Sequence, residues 1–453
     1  MQKPPVVPQH HLARHPFVEI RTLATCSVSA YKGKTLQAEV CGMNTASLPR
    51  HVAPLAGRIV DVDSHEMMPA QIWVETFGEI ARPIADLIMS MPARNKNSAN
   101  IPGYAGDRAP PARETLWSTK GADSPGSVDM ARRLEVLDMM TVKEQLLFPT
   151  SIGLWGMTLI NMSADTPLLL QLGKGDSAAG YAYARKLMDA HNAWLVSVAR
   201  VSKRIKPIAP IHGDTVAELI TGARWAIDNG MAGVWITSGL LPGGVSPAHS
   251  DLDPFYAMLA EAGVSLHFHI GGLGPFLSTN KWGNAEAFRG FKSSAEISLD
   301  PWWLSAVHLS VQNFIATMVT GGVFDRHPGL YAASEEHGAH WIGPLAQLLD
   351  IWHDNNNSLH EKQYVNGPSG RKLPMRPSDY IRRNIRVSPF DFEPVGTYLD
   401  HYGLDTVYCF ASDYPHAEGG SDPMGKFSAE IERFGPAMFE KFFVTNGAVL
   451  FPH

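Results

Sequence analysis

Gly57-Arg58-Ile59-Val60-Asp61-Val62-Asp63-Ser64-His65 is the stretch from which the rest of the chain can be read. Its apolar start reads as a short strand, in which alternate side chains point the same way. That alternation places Asp61, Asp63 and His65 on one face and Val60, Val62 and Ser64 on the other. Two carboxylates and an imidazole leaving the end of a buried strand are costly to desolvate unless a cation or hydrogen bonds compensate. A metal site resolves that cost. The competing reading is that these residues only cap the strand and begin a turn.

Outward from this strand, helix and strand signals alternate. Glu75 to Met91 has helical periodicity interrupted at Pro83, and residues 92–126 form a long polar loop rich in proline and glycine. A long loop after a barrel strand lies at the catalytic face, so this one is expected to cover the pocket. Met130 to Met140 reads as a helix, as does Ala178 to Ala199; Thr215 and Glu218 have capping-box spacing before a helix that Gly230 can end. Asp253 with Pro254 starts another helix, which Gly263 closes. A loop insertion from Gly272 to Asp300 and a helical stretch from Pro301 to Val323 follow. Strands centre on Val60, Leu147, Ile208, Val234, Leu266, Ala332, Val387 and Phe410. Eight strand-helix units favour a closed, distorted TIM-type (β/α)8 barrel with long insertions at its catalytic face. No glycine-rich phosphate fingerprint follows the first strand, which argues against a dinucleotide fold.

The 453 residues suit one barrel, read here as residues 51–453 with C-terminal helices, preceded by an extension over residues 1–50. Hydrophobic residues make up 45% and charged residues 18%, a composition with ample core. A net charge of −6 and the absence of a basic run give no reason to expect nucleic acid. Three cysteines, Cys26, Cys41 and Cys409, cannot make a disulfide framework or a four-cysteine zinc site, which fits a cytoplasmic protein. No stretch is long enough to span a bilayer, and the N-terminus lacks the basic-then-apolar pattern of a signal peptide. A homo-oligomer, a dimer in the first instance, is expected around the apolar, aromatic helix from Pro301 to Phe314.

In a barrel the C-terminal strand ends gather the chemistry. The first carries Asp63 and His65, the fifth ends in His269, the sixth runs Ser334-Glu335-Glu336-His337-Gly338, and the eighth ends Ser412-Asp413-Tyr414-Pro415-His416. Arg386 on the seventh strand and His416 are candidates to meet substrate, and Glu336 and His337 are candidates for the catalytic machinery. Asp61, one strand pitch deeper than Asp63, is assigned to structural hydrogen bonding or to orienting a ligand.

These segments, with Phe148-Pro149-Thr150, His191-Asn192-Ala193-Trp194-Leu195, Phe324-Asp325-Arg326-His327-Pro328 and Glu336-His337-Gly338-Ala339-His340-Trp341, resemble the amidohydrolase superfamily. The similarity is to the branch of aminocarboxymuconate-semialdehyde decarboxylase, and it runs in consistent order over residues 58–450. The resemblance implies metal ligands at Asp63, His65, His269 and Asp413, with Asp413 also serving as acid/base. Relatives with His-x-Gly after the sixth strand differ from this chain, which has Glu336 there with His337 beside it. The fourth strand, Trp235-Ile236-Thr237, offers no lysine for a carbamate bridge between two metals, so a mononuclear centre is implied. One divalent ion is expected, zinc first for mixed His/Asp ligation and manganese as its competitor. The leading expectation is a hydrolase acting on a small organic substrate through a metal-activated water. Non-oxidative decarboxylation of a small aromatic or unsaturated carboxylic acid is the alternative, and a catalytically silent metal-binding barrel is the third reading.

Overall fold

A computed structural model describes residues 48–91, 99–272, 282–289, 304–355 and 373–452. The chain divides into units Met1–Asn44 and Thr45–His453. The first unit lies outside the described residues, as do parts of the expected insertions and the start of the helical stretch from Pro301.

Seven parallel strands lie side by side in chain order: β1 (Ile59–Asp61), β2 (Val142–Leu147), β3 (Ile205–Pro210), β4 (Gly233–Trp235), β5 (Ser265–His269), β6 (Ala332–Glu335) and β7 (Ile385–Val387). Each contains its expected centre. The eighth position, residues 407–414, closes the ring through single bridges rather than a continuous ladder. Tyr408 pairs with Val387 and Tyr414 with Ser64. Cys409 N–H donates to Val387 O (3.1 Å), and Val62 N–H donates to Phe410 O (3.1 Å). The fold is therefore an α/β barrel in which all strands run one way and helices cover the outside.

Alternation sorts the two sides of this wall. Val60, Val62, Leu146, Phe148, Ile208, Trp235, Ala333, Cys409 and Ala411 share an apolar cluster with Leu450 and Phe451 from the C-terminal end, which fill the barrel interior. The alternate residues Ile59, Leu147, Ala209, Val234, Leu266, Ala332 and Val387 pack with helix residues such as Val136, Leu195 and Leu219. Local chemistry sets the helix limits. Met130–Met140 is capped by the Asp129 side chain, Val216–Asp228 carries the full Thr215/Glu218 capping box, and Gly263 (φ 65°) ends Asp253–Ala262. Pro83 opens the helix Arg82–Ser90 instead of interrupting a longer one, since a proline at the first turn loses no helical hydrogen bond.

One expectation fails at the strand that organises the chain. Asp61, Asp63 and His65 do not share a face. Val60 and Val62 point inward, and Asp61 points outward to Gln145 and Ser412. The Asp61 carboxylate accepts the Ser412 N–H (2.8 Å), in place of a peptide carbonyl of β1. The ladder resumes one residue later, with Asp413 N–H donating to Asp63 O (2.9 Å). This irregularity breaks the period of two and turns Asp63 inward behind Val62.

Candidate metal centre

Four elements deliver side chains to one point above the barrel interior. Asp63 and His65 follow β1, His269 ends β5, Glu336 follows β6, and Asp413 and His416 leave the closing segment. His65 Nε2 lies 3.2 Å from Asp63 Oδ1, 3.3 Å from Glu336 Oε1 and 3.5 Å from Asp413 Oδ1. His269 Nε2 lies 3.5 Å from Asp63 Oδ1 and 3.6 Å from Glu336 Oε2. Atoms sharing one ion at about 2.0–2.2 Å stand roughly 2.8–3.6 Å apart in tetrahedral or octahedral geometry, so this spacing is that of a ligand set. Asp63 Oδ1, His65 Nε2, His269 Nε2 and Glu336 Oε2 are all buried without a hydrogen-bond partner, an arrangement that is costly without a cation. Asp63, His65, His269 and Glu336 therefore fit a divalent ion. A second set, His65, Glu336, Asp413 and His416, shares two of these residues, which puts Asp413 and His416 against the same point.

Each ring is held so that one nitrogen faces the cluster. His269 Nδ1 donates to Ile270 O (3.0 Å), while Phe148 stacks on the ring at 4.7 Å and Trp235 meets it edge-on at 5.5 Å. His65 Nδ1 is 2.9 Å from Thr150 Oγ1, and Thr150 Oγ1 is 3.1 Å from His416 Nε2. The His65 and His416 rings stack at 3.9 Å. Such outer contacts fix which nitrogen is presented and add to ligand basicity. Glu336 (φ 57°) and Asp413 (φ 48°) both occupy the left-handed region, uncommon for non-glycine residues, where the chain leaves the strand direction and aims these carboxylates inward.

Charge is unevenly distributed over the cluster. Burial opposes the charged form of His269, but the Glu336 and Asp63 carboxylates outweigh it and push the imidazole up to about 9. Burial would raise Asp63 and Glu336 too, yet the neighbouring His269 and His65 hold Asp63 below the ordinary carboxylate range and, with His416, hold Glu336 well below it. Asp413 goes the other way. Burial and the adjacent Glu336 charge push its carboxyl well above the usual range, against the pull of His416 at 2.9 Å from Oδ1.

The profile of a family described as Amidohydrolase matches residues 175–452, more than half of the 453. The chain belongs to this amidohydrolase family. The match holds His269, Glu336 and Asp413, and the fold brings Asp63 and His65 to them from ahead of it. No curated protein matches the chain. Among solved structures, an amidohydrolase from Mycobacterium avium subsp. paratuberculosis is 20% identical with a TM-score of 0.57, over 87% of this chain and 98% of its own. A dihydroxybenzoic acid decarboxylase from a Polaromonas species, with bound manganese and the inhibitor 2-nitroresorcinol, is 12% identical (TM-score 0.53; 86% and 96% covered). A 2,6-dihydroxybenzoate decarboxylase from Rhizobium is 14% identical (TM-score 0.52; 86% and 98% covered). At these identities the likeness establishes the shared barrel.

The amidohydrolase places its other expected site residues unequally. His416 reaches the cluster, 3.1 Å from Glu336 Oε1. His337 is buried beside it with Nδ1 3.0 Å from Ser334 Oγ, and burial pushes its imidazole down to about 3, so it stays neutral. Arg386 does not join the cluster: its guanidinium donates to the carbonyls of Asn446 (2.9 Å), Arg382 (3.1 Å) and Ile385 (2.7 Å), because a buried arginine must place its donors and the nearby helix termini supply acceptors. It supplies no clamp for a substrate carboxylate there.

Three supporting residues carried no periodic signal in the sequence. Glu66, next to His65, is buried and accepts from Thr150 N (2.9 Å), Ser151 N (2.7 Å) and Ser151 Oγ (2.6 Å), with His191 Nε2 at 3.1 Å. It ties the loop bearing Thr150 to the helix Ser177–Val201 and accounts for the histidine of the His191-Asn192 motif. Arg133 and Gln145 are both buried, with Arg133 Nη1 donating to Gln145 Oε1 (3.0 Å). The described part of the long loop, residues 99–126, is stitched to the same floor: Gly121 N–H donates to Pro415 O (2.9 Å), and Tyr414 Oη donates to Pro125 O (2.6 Å). These bonds tie the end of the loop to the segment that carries Asp413 and His416.

Proposed function

We propose that this amidohydrolase is a metal-dependent non-oxidative decarboxylase of a small aromatic or unsaturated carboxylic acid. The observation that carries the reading is the placement of Asp413, a buried carboxyl whose Oδ1 lies 3.5 Å from His65 Nε2 and 2.9 Å from His416 Nδ1, against the residues that would hold the ion. In its protonated form a carboxyl so placed can give a proton to carbon, whereas hydrolysis asks for its ionised form as a base. A divalent ion held by Asp63, His65, His269 and Glu336 would supply Lewis-acid attraction for the substrate's oxygens. As the C–C bond to the carboxylate breaks and carbon dioxide leaves, the carbon keeps the electron pair and takes the Asp413 proton. His416, 2.9 Å from Asp413 Oδ1, is placed to return a proton to the carboxylate left behind. The fold neighbours from Polaromonas and Rhizobium support the reading, as both are named decarboxylases and the first holds manganese. Two carboxylates and two imidazoles suit manganese as well as zinc, and we place manganese first.

Hydrolysis of a C–N or C–O bond is the second reading, and it rests on the same residue in its ionised form taking a proton from water. The enzyme reconstituted with manganese or zinc should release carbon dioxide from one or more hydroxybenzoic or unsaturated acids in a panel that also holds amides, esters and lactones. Turnover confined to the hydrolysable compounds would overturn the decarboxylase reading.

A further inference from the structure

We infer that Arg133, a residue of the outer helix layer, is the positioning residue that sets the geometry of the metal cluster. The inference rests on the reading that the cluster holds an ion. Arg133 sits on the helix Met130–Met140 and is wholly buried. Its guanidinium donates from Nη2 to the carbonyl of His65 (2.5 Å), from Nε to Gly126 O (2.6 Å) and from Nη1 to Gln145 Oε1 (3.0 Å). It also lies over the Tyr414 ring, 4.9 Å from the centroid. Gln145 Nε2 in turn donates to Asp61 Oδ2 (2.6 Å). Asp61 Oδ1 accepts the N–H groups of Ser412 (2.8 Å) and Asp63 (3.3 Å). One guanidinium thus reaches the main chain of both β1 ligands and of the residue before Asp413.

The need for such a brace follows from the break in alternation. A regular strand would carry Asp63 on the outer face with Asp61, away from His269 and Glu336. The chain instead departs from the ladder between Val62 and Asp63, and there the Asp61 carboxylate takes the Ser412 N–H that the ladder would otherwise satisfy. Gln145 holds that carboxylate and Arg133 holds both Gln145 and the far side of the irregularity at His65. The loop closes over the arginine without room to spare: a Cβ on Gly126 would meet the Arg133 backbone at 2.7 Å. Three acceptors met by three different guanidinium nitrogens, together with the Tyr414 ring beneath, call for the fork of arginine; a lysine ammonium cannot match them all.

The test is metal affinity measured beside stability, on full-length protein stripped with chelator and titrated with Mn2+ or Zn2+ against a competing chelator. Arg133→Lys and Gln145→Met should each weaken binding about 10–100-fold, the usual scale for losing an outer contact to a ligand. Val136→Ala, on the same helix but within the apolar core, should lower the melting temperature and leave affinity at the wild-type value. If Arg133→Lys does not fold, Gln145→Met carries the test with the arginine in place. Affinity within threefold of wild type in the folded variants would overturn the positioning role, as would an equal loss in Val136→Ala. Wild-type protein that binds neither ion would overturn the metal reading beneath it, a result distinct from the other two because it appears in the unaltered chain.

Discussion

Asp413 separates the reactions open to this centre, because its protonation state decides whether it offers or takes a proton. Replacing it by asparagine keeps the shape and removes the acid. Turnover of Asp413→Asn should fall by roughly two to four orders of magnitude, the scale for a positioned acid/base, while Asp63, His65, His269 and Glu336 retain the ion. A role as a turn-former alone predicts near-normal turnover, since asparagine serves turns as well as aspartate does. Measuring turnover and metal content on one preparation distinguishes the two. Glu336 shows how far the sequence reached at this scale. Its place after the sixth strand marked it as a candidate for chemistry, but only its left-handed backbone, which turns it toward His65 and His269, puts it among the atoms that could hold an ion.

At the scale of the element, the barrel strands are positioned by what fills the space between them as much as by their ladders. His267, between Leu266 and Phe268 on β5, lies inside the barrel with Nδ1 2.8 Å from Glu335 Oε1 and Nε2 2.7 Å from Ser265 Oγ. Gly233 at the start of β4 leaves the room for it: a Cβ there would stand 2.5 Å from His267 Cδ2 and 2.9 Å from Ile208 Cδ1. Neither neighbour can swing away, because the ring is bonded at both nitrogens and Ile208 is in the packed interior. Gly233→Ala should therefore destabilise the protein by about 1–3 kcal/mol, the range for overpacking a core. Urea unfolding should show a lower midpoint with an unchanged slope, and a midpoint equal to wild type would contradict the packing. Helix limits were legible because caps are local chemistry, as Asp129, Thr215 with Glu218, and Gly263 show. Pro83 was misread because periodicity does not tell a proline inside a helix from one that starts it.

Across the whole molecule, an ion held by Asp63, His65, His269 and Glu336 would draw its ligands from three separate strand ends, so it should act as a cross-link of the barrel. Removing metal with a chelator should lower the melting temperature, since an ion at a thousandfold excess over its dissociation constant adds about 4 kcal/mol of stability. The effect should depend on pH in a fixed direction. In the ion-free cluster His269 keeps its proton up to about pH 9, and only neutral imidazole can bind the ion. Protons therefore compete increasingly as pH falls below about 9, and the gap between loaded and stripped melting temperatures should narrow from pH 9 to pH 6. A gap that widens over that range would exclude His269 as a ligand. No described helix is long and apolar enough to cross a membrane. By itself the sequence determined the order of the seven strands and the closing eighth position, the helix ends marked by caps, and the residue types waiting at the strand ends, because each is set by contacts within a few residues. Only the tertiary structure decided that Asp61 faces outward while Asp63 turns in, that Glu336 lies against His65 and His269, that Arg386 stays away, and that Arg133 and Glu66 brace the chain behind the cluster. Those outcomes depend on buried polar groups finding partners far along the chain, as Asp61 finds Ser412 351 residues away, and periodicity carries no record of such pairs.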